Sequence, residues 1–112
     1  MNRSEIEKSK IYITNEIIEF LPHSVVIKTI LKKATGNVSV LSFDTGEGLS
    51  EKIIPFDTFI QIIEGSAEIV IDEKSYFLLT GQSIIIPAHA PYFVTPDGRF
   101  KMIQTVIKSG YE

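Results

Sequence analysis

From residue 24 onward, short apolar runs alternate with turn signals, and the runs are rich in β-branched residues. SVVIKTILKK (24–33) and NVSVLSF (37–43) are dominated by Val, Ile and Thr and flank Ala34-Thr35-Gly36, a hairpin signal. DTGEGLS (44–50) reads as a glycine-rich loop. TFIQIIEG (58–65) and SAEIVID (66–72) predict a second strand pair, and Asp72-Glu73-Lys74 turns the chain into SYFLLT (75–80). Gly81 opens SIIIP (83–87), PAHAP interrupts it, and YFVT (92–95) leads to Pro96-Asp97-Gly98, a strong turn. RFKMIQTVIK (99–108) is the last run. Eight or nine short strands punctuated in this way predict an all-β, antiparallel sandwich or barrel.

The stretch before residue 24 is different. Residues 1–10 are polar, and NEIIEFLP predicts one short helix near 15–21. Asn15 would cap it, Ile17, Ile18 and Leu21 fall at helical spacing, and Pro22 ends it. The chain therefore divides into an arm with a short helix (1–23), a barrel (24–108) and a tail (109–112).

Several strands are apolar on both faces, among them FIQII, SIIIP and MIQTVI. One face must fill the barrel, and the other must pack on a second sheet or on a partner chain. The outward faces of 58–63 and 102–107 are the ones that need cover, which predicts a homodimer.

Composition adds exclusions. At 112 residues the chain has the size of one domain, and its 44% hydrophobic and 22% charged content is that of an ordinary globular protein. The net charge is −3, and Lys32-Lys33 is the only adjacent basic pair, so no surface tracks a phosphate backbone and nucleic-acid binding is disfavoured. There are no cysteines, which removes disulfides, thiolate-bound zinc and thiol catalysis and fits a reducing compartment. MNRSEIEKSK has no apolar run of the secretory kind, and no apolar stretch approaches the roughly 20 residues that span a bilayer. A soluble, cytoplasmic protein without a membrane partner is expected.

The spacing of the punctuation resembles the cupin family, small jelly-roll β-barrels, over about residues 36–108. The first cupin motif places a glycine, five residues, His-x-His, three or four residues, a glutamate, six residues and a glycine. Gly46 and Gly65 match its ends, while Lys52 and Ile54 fall on the two histidines and Thr58 on the glutamate. The second motif places a glycine, five residues, Pro-x-Gly, two residues, a histidine, three residues and an asparagine. Gly81 and Pro87 match, while His89 falls on the second glycine, Tyr92 on the histidine and Pro96 on the asparagine. GEGLSE, PFD, IIEGSAEI and TGQSIIIPA together look like small single-domain bacterial cupins.

The resemblance implies a jelly-roll barrel with a central cavity. All four positions at which the family holds a metal are replaced, so no metal and no other cofactor is expected. Residues two apart on a strand point the same way, so Lys52, Ile54 and Tyr92 are expected to face inward where the ligands would have stood. The resulting candidate binding set is Lys52, Ile54, Thr58, Tyr92 and Gln104. One reading is a metal-free module for a small, largely apolar or carboxylate-bearing ligand. Another is an enzyme: an isomerase or epimerase using a desolvated Lys52 and Tyr92 as proton-transfer groups, or a divergent metal-dependent member. A third is a barrel filled by its own side chains, Ile54, Ile60, Ile62, Ile84 and Ile86 among them. Lys52 could equally reach the barrel mouth and pair with Glu51, Asp57 or water. His89 reads as a rim residue, His23 has no assigned role, and Gln61 and Gln104 could face either pocket or interface.

Overall fold

The computed structural model describes residues 6–108, so the tail expected at 109–112 lies outside the described residues. Among them the chain forms β1 (Val25–Lys33), β2 (Gly36–Phe43), β3 (Leu49–Lys52), β4 (Asp57–Glu64), β5 (Ala67–Ile71), β6 (Lys74–Leu78), β7 (Ser83–Ile86), β8 (Tyr92–Val94) and β9 (Phe100–Ile107). A five-stranded sheet runs β1-β2-β9-β4-β7, and a four-stranded sheet runs β3-β8-β5-β6. The ladders are antiparallel. After β2 the chain crosses between the sheets at most connections, which is the jelly-roll path.

Register assigns every side chain to a face. On the larger sheet Phe43 pairs with Phe100, Leu41 with Met102, and Met102 with Ile62. These side chains are at most 2% exposed and belong to one core. The opposite sheet contributes Ala67, Ile69, Ile71, Leu78, Tyr92 and Val94 to that core. Phe43 and Phe100 stack with ring centroids 4.3 Å apart, closing one end of the barrel. Such a pair is worth about 0.5–1.5 kcal/mol beyond its buried area.

Gly65 shows how the turns are made. Its φ of +84° is left-handed, and a Cβ there would stand 2.6 Å from the Arg99 carbonyl oxygen, so only glycine fits between β4 and β5.

The helix expected at 15–21 is instead a single 3-10 turn, Thr14–Glu16. Asn15 lies inside that turn, and the capping position is Ile13, which is extended and offers no side-chain cap. The physical reason lies in the partners of the backbone. The carbonyl of Asn15 accepts from Lys101 Nζ at 2.5 Å, that of Ile17 from Lys28 Nζ at 3.4 Å, and that of Glu19 from Ser42 Oγ at 2.9 Å. Barrel side chains thus take carbonyls that a helix would use internally, in a segment too short to nucleate one alone.

The arm covers the outer face of β1 and β2. Val40, the register partner of Lys28, is fully buried although its side chain points away from the barrel core. Ile18, between the Ile17 and Glu19 anchors, is 4% exposed. Phe20 lies 5.0 Å from the Arg99 guanidinium and 4.9 Å from Lys101 Nζ, both at cation–π distance. Asp44 fixes the end of the arm: Oδ2 accepts from the His23 amide at 2.7 Å and Oδ1 from Arg99 Nε at 2.8 Å. The His23 amide first, then Arg99 and the Thr45 amide, hold the Asp44 carboxyl down to about 2.

Candidate functional site

β3 ends where β4 begins and β7 ends where β8 begins, with only residues 53–56 and 87–91 between them. Lys52, Thr58, Ile86 and Tyr92 therefore lie at one end of the barrel, opposite the Phe43–Phe100 stack. The two connecting loops are tied together: the His89 amide donates to the Ile54 carbonyl at 2.8 Å, and the Ala88 amide to Asp57 Oδ1 at 2.9 Å. His89 takes a left-handed φ of 71° at the position where the cupin motif has glycine. Its side chain is exposed.

Tyr92 is the most enclosed of the candidates. It is 1% exposed, and its Oη is buried with no hydrogen-bond partner among the described residues. Burial pushes the phenol above its ordinary 10.0, so near neutral pH it is a neutral hydroxyl with a proton to donate. Ile54 is half-buried and packs on the same core. Thr58 is fully buried, with Oγ1 3.4 Å from the Phe56 carbonyl, a long bond within its own loop.

Lys52 departs from expectation. It is the register partner of Tyr92, but it is exposed and forms no ion pair among the described residues. The register shift between Leu49 and Lys52 sits where β3 runs out, and the long side chain reaches water past the rim rather than entering the apolar interior. The inward-facing lysine is thereby corrected. Lys52 and Tyr92 do not share a solvent-shielded space, so the desolvated lysine base of the isomerase reading has no counterpart here.

Register also separates the two glutamines. Gln104 pairs with Ser39 on one side and with fully buried Ile60 on the other, so it faces the barrel. Gln61 pairs with Ile103 and Ser83 on the outer face. A lateral row on the inner face runs Thr29, Ser39, Gln104, Ile60, Ile84: polar over β1, β2 and β9, apolar over β4 and β7. Ser39, with Asn37 one step nearer the Tyr92 end, was missed by the sequence reading. The period-two alternation Asn37, Ser39, Leu41, Phe43 is the signal, but a polar start to a strand reads as a solvent face.

Solved structures share this architecture. A conserved protein of unknown function from Streptococcus pyogenes superposes with a TM-score of 0.89 at 26% identity, over 96% of this chain and 94% of that one. A cupin superfamily protein from Desulfitobacterium hafniense gives 0.84 at 25% identity, over 96% and 97%. A cupin 2 conserved barrel domain protein from Leptotrichia buccalis gives 0.80 at 26% identity, over 84% of this chain and 46% of that one. The fold is that of a small cupin. No family model and no curated protein matches the chain.

A cupin of the metal-holding kind needs several N or O donors converging at the Tyr92 end of the barrel. Here that end offers an exposed ammonium, an alkyl group, a hydroxyl turned to its own loop and a phenol whose pKa burial raises. The Lys52 ammonium must shed a proton to ligate, Tyr92 ligates well only as the phenolate that burial opposes, and the Thr58 hydroxyl is a weak neutral donor. Asp57 and His89 do not replace the set: Asp57 is engaged with the Ala88 amide, and no cluster of three His, Asp or Glu side chains occurs among the described residues. Lys52, Ile54, Thr58 and Tyr92 do not make a set of donors that fits a metal. Among the described residues no helix is long and apolar enough to cross a membrane.

Proposed function

We propose that this cupin is a metal-independent binding module for a small, largely apolar molecule bearing a carboxylate or similar acceptor. One observation carries the reading: Tyr92 Oη, at the position that the cupin motif gives to a histidine, is buried with no partner among the described residues. An orphaned hydroxyl is destabilising by about 1–3 kcal/mol, and a ligand oxygen accepting from it would remove that penalty. Gln104 and Ser39 supply polar groups on the facing sheet, and Ile54, Thr58 and Ile60 shape the apolar side. Lys52 acts at the rim, attracting an anion rather than transferring a proton. The protein works as a homodimer, with Phe59 (36% exposed) and Ile107 (55% exposed) on its outer sheet covered by a second copy. The lack of cysteine supports a cytoplasmic setting.

Native mass spectrometry of gently purified protein tests the binding claim. The expected result is an adduct that is released on denaturation and much reduced in Tyr92→Phe and Gln104→Ala. An adduct unaffected by either substitution, or no adduct together with no response of the Tyr92 and Gln104 amides to small carboxylic acids, would overturn it.

A further inference from the structure

A second cleft lies beside this end of the barrel, between the β5–β6 turn and the β7–β8 loop. Its volume is about 390 Å³, within the usual span of small-molecule sites, and its lining includes Ile71, Asp72, Lys74, Tyr76, Ile84, Pro87 and Ala90. The floor is firm. Ile71 is 7% exposed and part of the core, and Ile84, Ala90 and Tyr76 pack against that core.

The walls are fixed by backbone bonds. The Asp72 amide donates to the Pro91 carbonyl at 2.8 Å, joining the turn to the loop, and the Ala90 amide donates to the Pro87 carbonyl at 3.2 Å. With the His89 and Ala88 bonds already described, the loop is anchored to three separate parts of the chain. The Asp72-Glu73 turn has left-handed φ values of 51° and 70°, which sets where Lys74 emerges. Lys74 Nζ stands 5.7 Å from the Tyr76 ring centroid and makes no ion pair among the described residues. A pre-formed slot, mainly apolar, with one cation free of ion pairs and the Asp72 carboxylate at its wall selects a specific chemistry.

We propose that this cleft binds a small planar monocarboxylate, its ring against Ile84, Pro87 and Ala90 and its carboxylate on Lys74. The Asp72 carboxylate in the same wall disfavours a second negative charge on the ligand. The site is separate from the Tyr92 site and does not depend on it.

Benzoate is the probe, with benzamide as its neutral isostere, and both are titrated into isotopically labelled protein followed by amide resonances. Saturable shifts are expected at Lys74–Tyr76, Ile84, Ile85 and Ala90. Benzamide should bind about five-fold more weakly than benzoate, the upper end for an exposed charge pair. Lys74→Met should bring benzoate at these resonances down to the benzamide level and leave benzamide unchanged. Two results overturn the proposal: equal affinity of benzoate at these resonances for wild type and Lys74→Met, or no saturable shift there at millimolar probe. Shifts at Tyr92 and Gln104 report the barrel site and are fitted apart from those at Lys74–Tyr76 and Ala90, so failure of the barrel site and failure of the cleft are read separately.

Discussion

Replacing Tyr92 by Phe deletes one oxygen and keeps the ring. The ring is 1% exposed and sits in the core, while the oxygen is buried without an acceptor. Desolvating a hydroxyl with no compensating bond is unfavourable by about 1–3 kcal/mol, and the void left by one oxygen offsets only part of the gain. Ligand-free Tyr92→Phe should therefore be more stable than wild type, by about 1 kcal/mol or more. At roughly 2.1 cal/mol/K of unfolding entropy per residue, that raises the melting temperature by about 4 °C. The assay is urea unfolding followed by circular dichroism, on protein refolded from denaturant so that any bound molecule is lost. The midpoint should rise with an unchanged m-value. A midpoint that falls instead would mean the hydroxyl already has a partner, and the case for an incomplete site would collapse. The phenol also predicts a pH effect. Its folded pKa lies above the unfolded 10.0, so its contribution is intact below pH 10 and is lost as pH rises through the folded value. Tyr92→Phe should remove that alkaline loss.

Four further outcomes are expected. Asp44 has a folded pKa of about 2 against an ordinary 3.8, so its contribution to stability is present above pH 3.8 and fades as pH falls toward 2; Asp44→Asn should flatten the acid limb of a stability–pH curve, and an unchanged limb would contradict the role given to His23 and Arg99. Gly65→Ala should destabilise by about 3 kcal/mol or more, because left-handed strain adds to the clash with Arg99; Gly81→Ala, where φ is +90° but no atom lies within 4 Å, should cost only about 1–2 kcal/mol, and equal losses in denaturant titrations would refute the distinction. Light scattering should give a dimer mass at micromolar concentration, and Phe59→Glu should shift it toward monomer; a monomer mass for wild type would sink the dimer. Tag-free protein should carry far less than one equivalent of transition metal by elemental analysis, whereas Lys52→His, Ile54→His, Thr58→Glu and Tyr92→His combined should raise zinc or nickel uptake; stoichiometric metal in the unmodified chain would show the site is elsewhere.

The barrel was readable from turn chemistry because each glycine and proline at a turn carries a local backbone demand. Gly46, Gly65 and Gly81 adopt φ values of +84°, +84° and +90°, and strands run between such points. The face each residue uses was harder to read. NVSVLSF and FIQII are apolar at both parities, so Gln61 and Gln104 looked alike until their ladder partners were known. That ambiguity has a physical source in the arm, which buries Val40 and Ser42 on the outside of the sheet and so gives β2 a second interior. The arm's own conformation was misread for the same reason, since the barrel side chains that hold its carbonyls, Lys28, Ser42 and Lys101, lie 11, 23 and 86 residues from their partners. No strand was read at 49–52, where β3 runs, and motif spacing sent Lys52 inward, because spacing fixes the direction of a Cβ and not the reach of a four-carbon side chain; the exposed side chain matches the other placement, at the barrel mouth.

β9 is the last strand to be synthesised of those described, and it occupies the middle of the larger sheet between β2 and β4. The earlier strands of that sheet therefore have no shared neighbour to pair with until residues 100–107 have emerged. The arm waits as well: its Asn15 carbonyl is held by a lysine 86 residues further along the chain. Such a topology is high in contact order, so folding should be slow and largely post-translational. During synthesis β2 and β4 expose unpaired apolar edges, the species on which holding chaperones act and from which aggregates start. Slowing translation should do little to help the yield of this barrel, whereas lowering temperature or raising chaperone supply after release should.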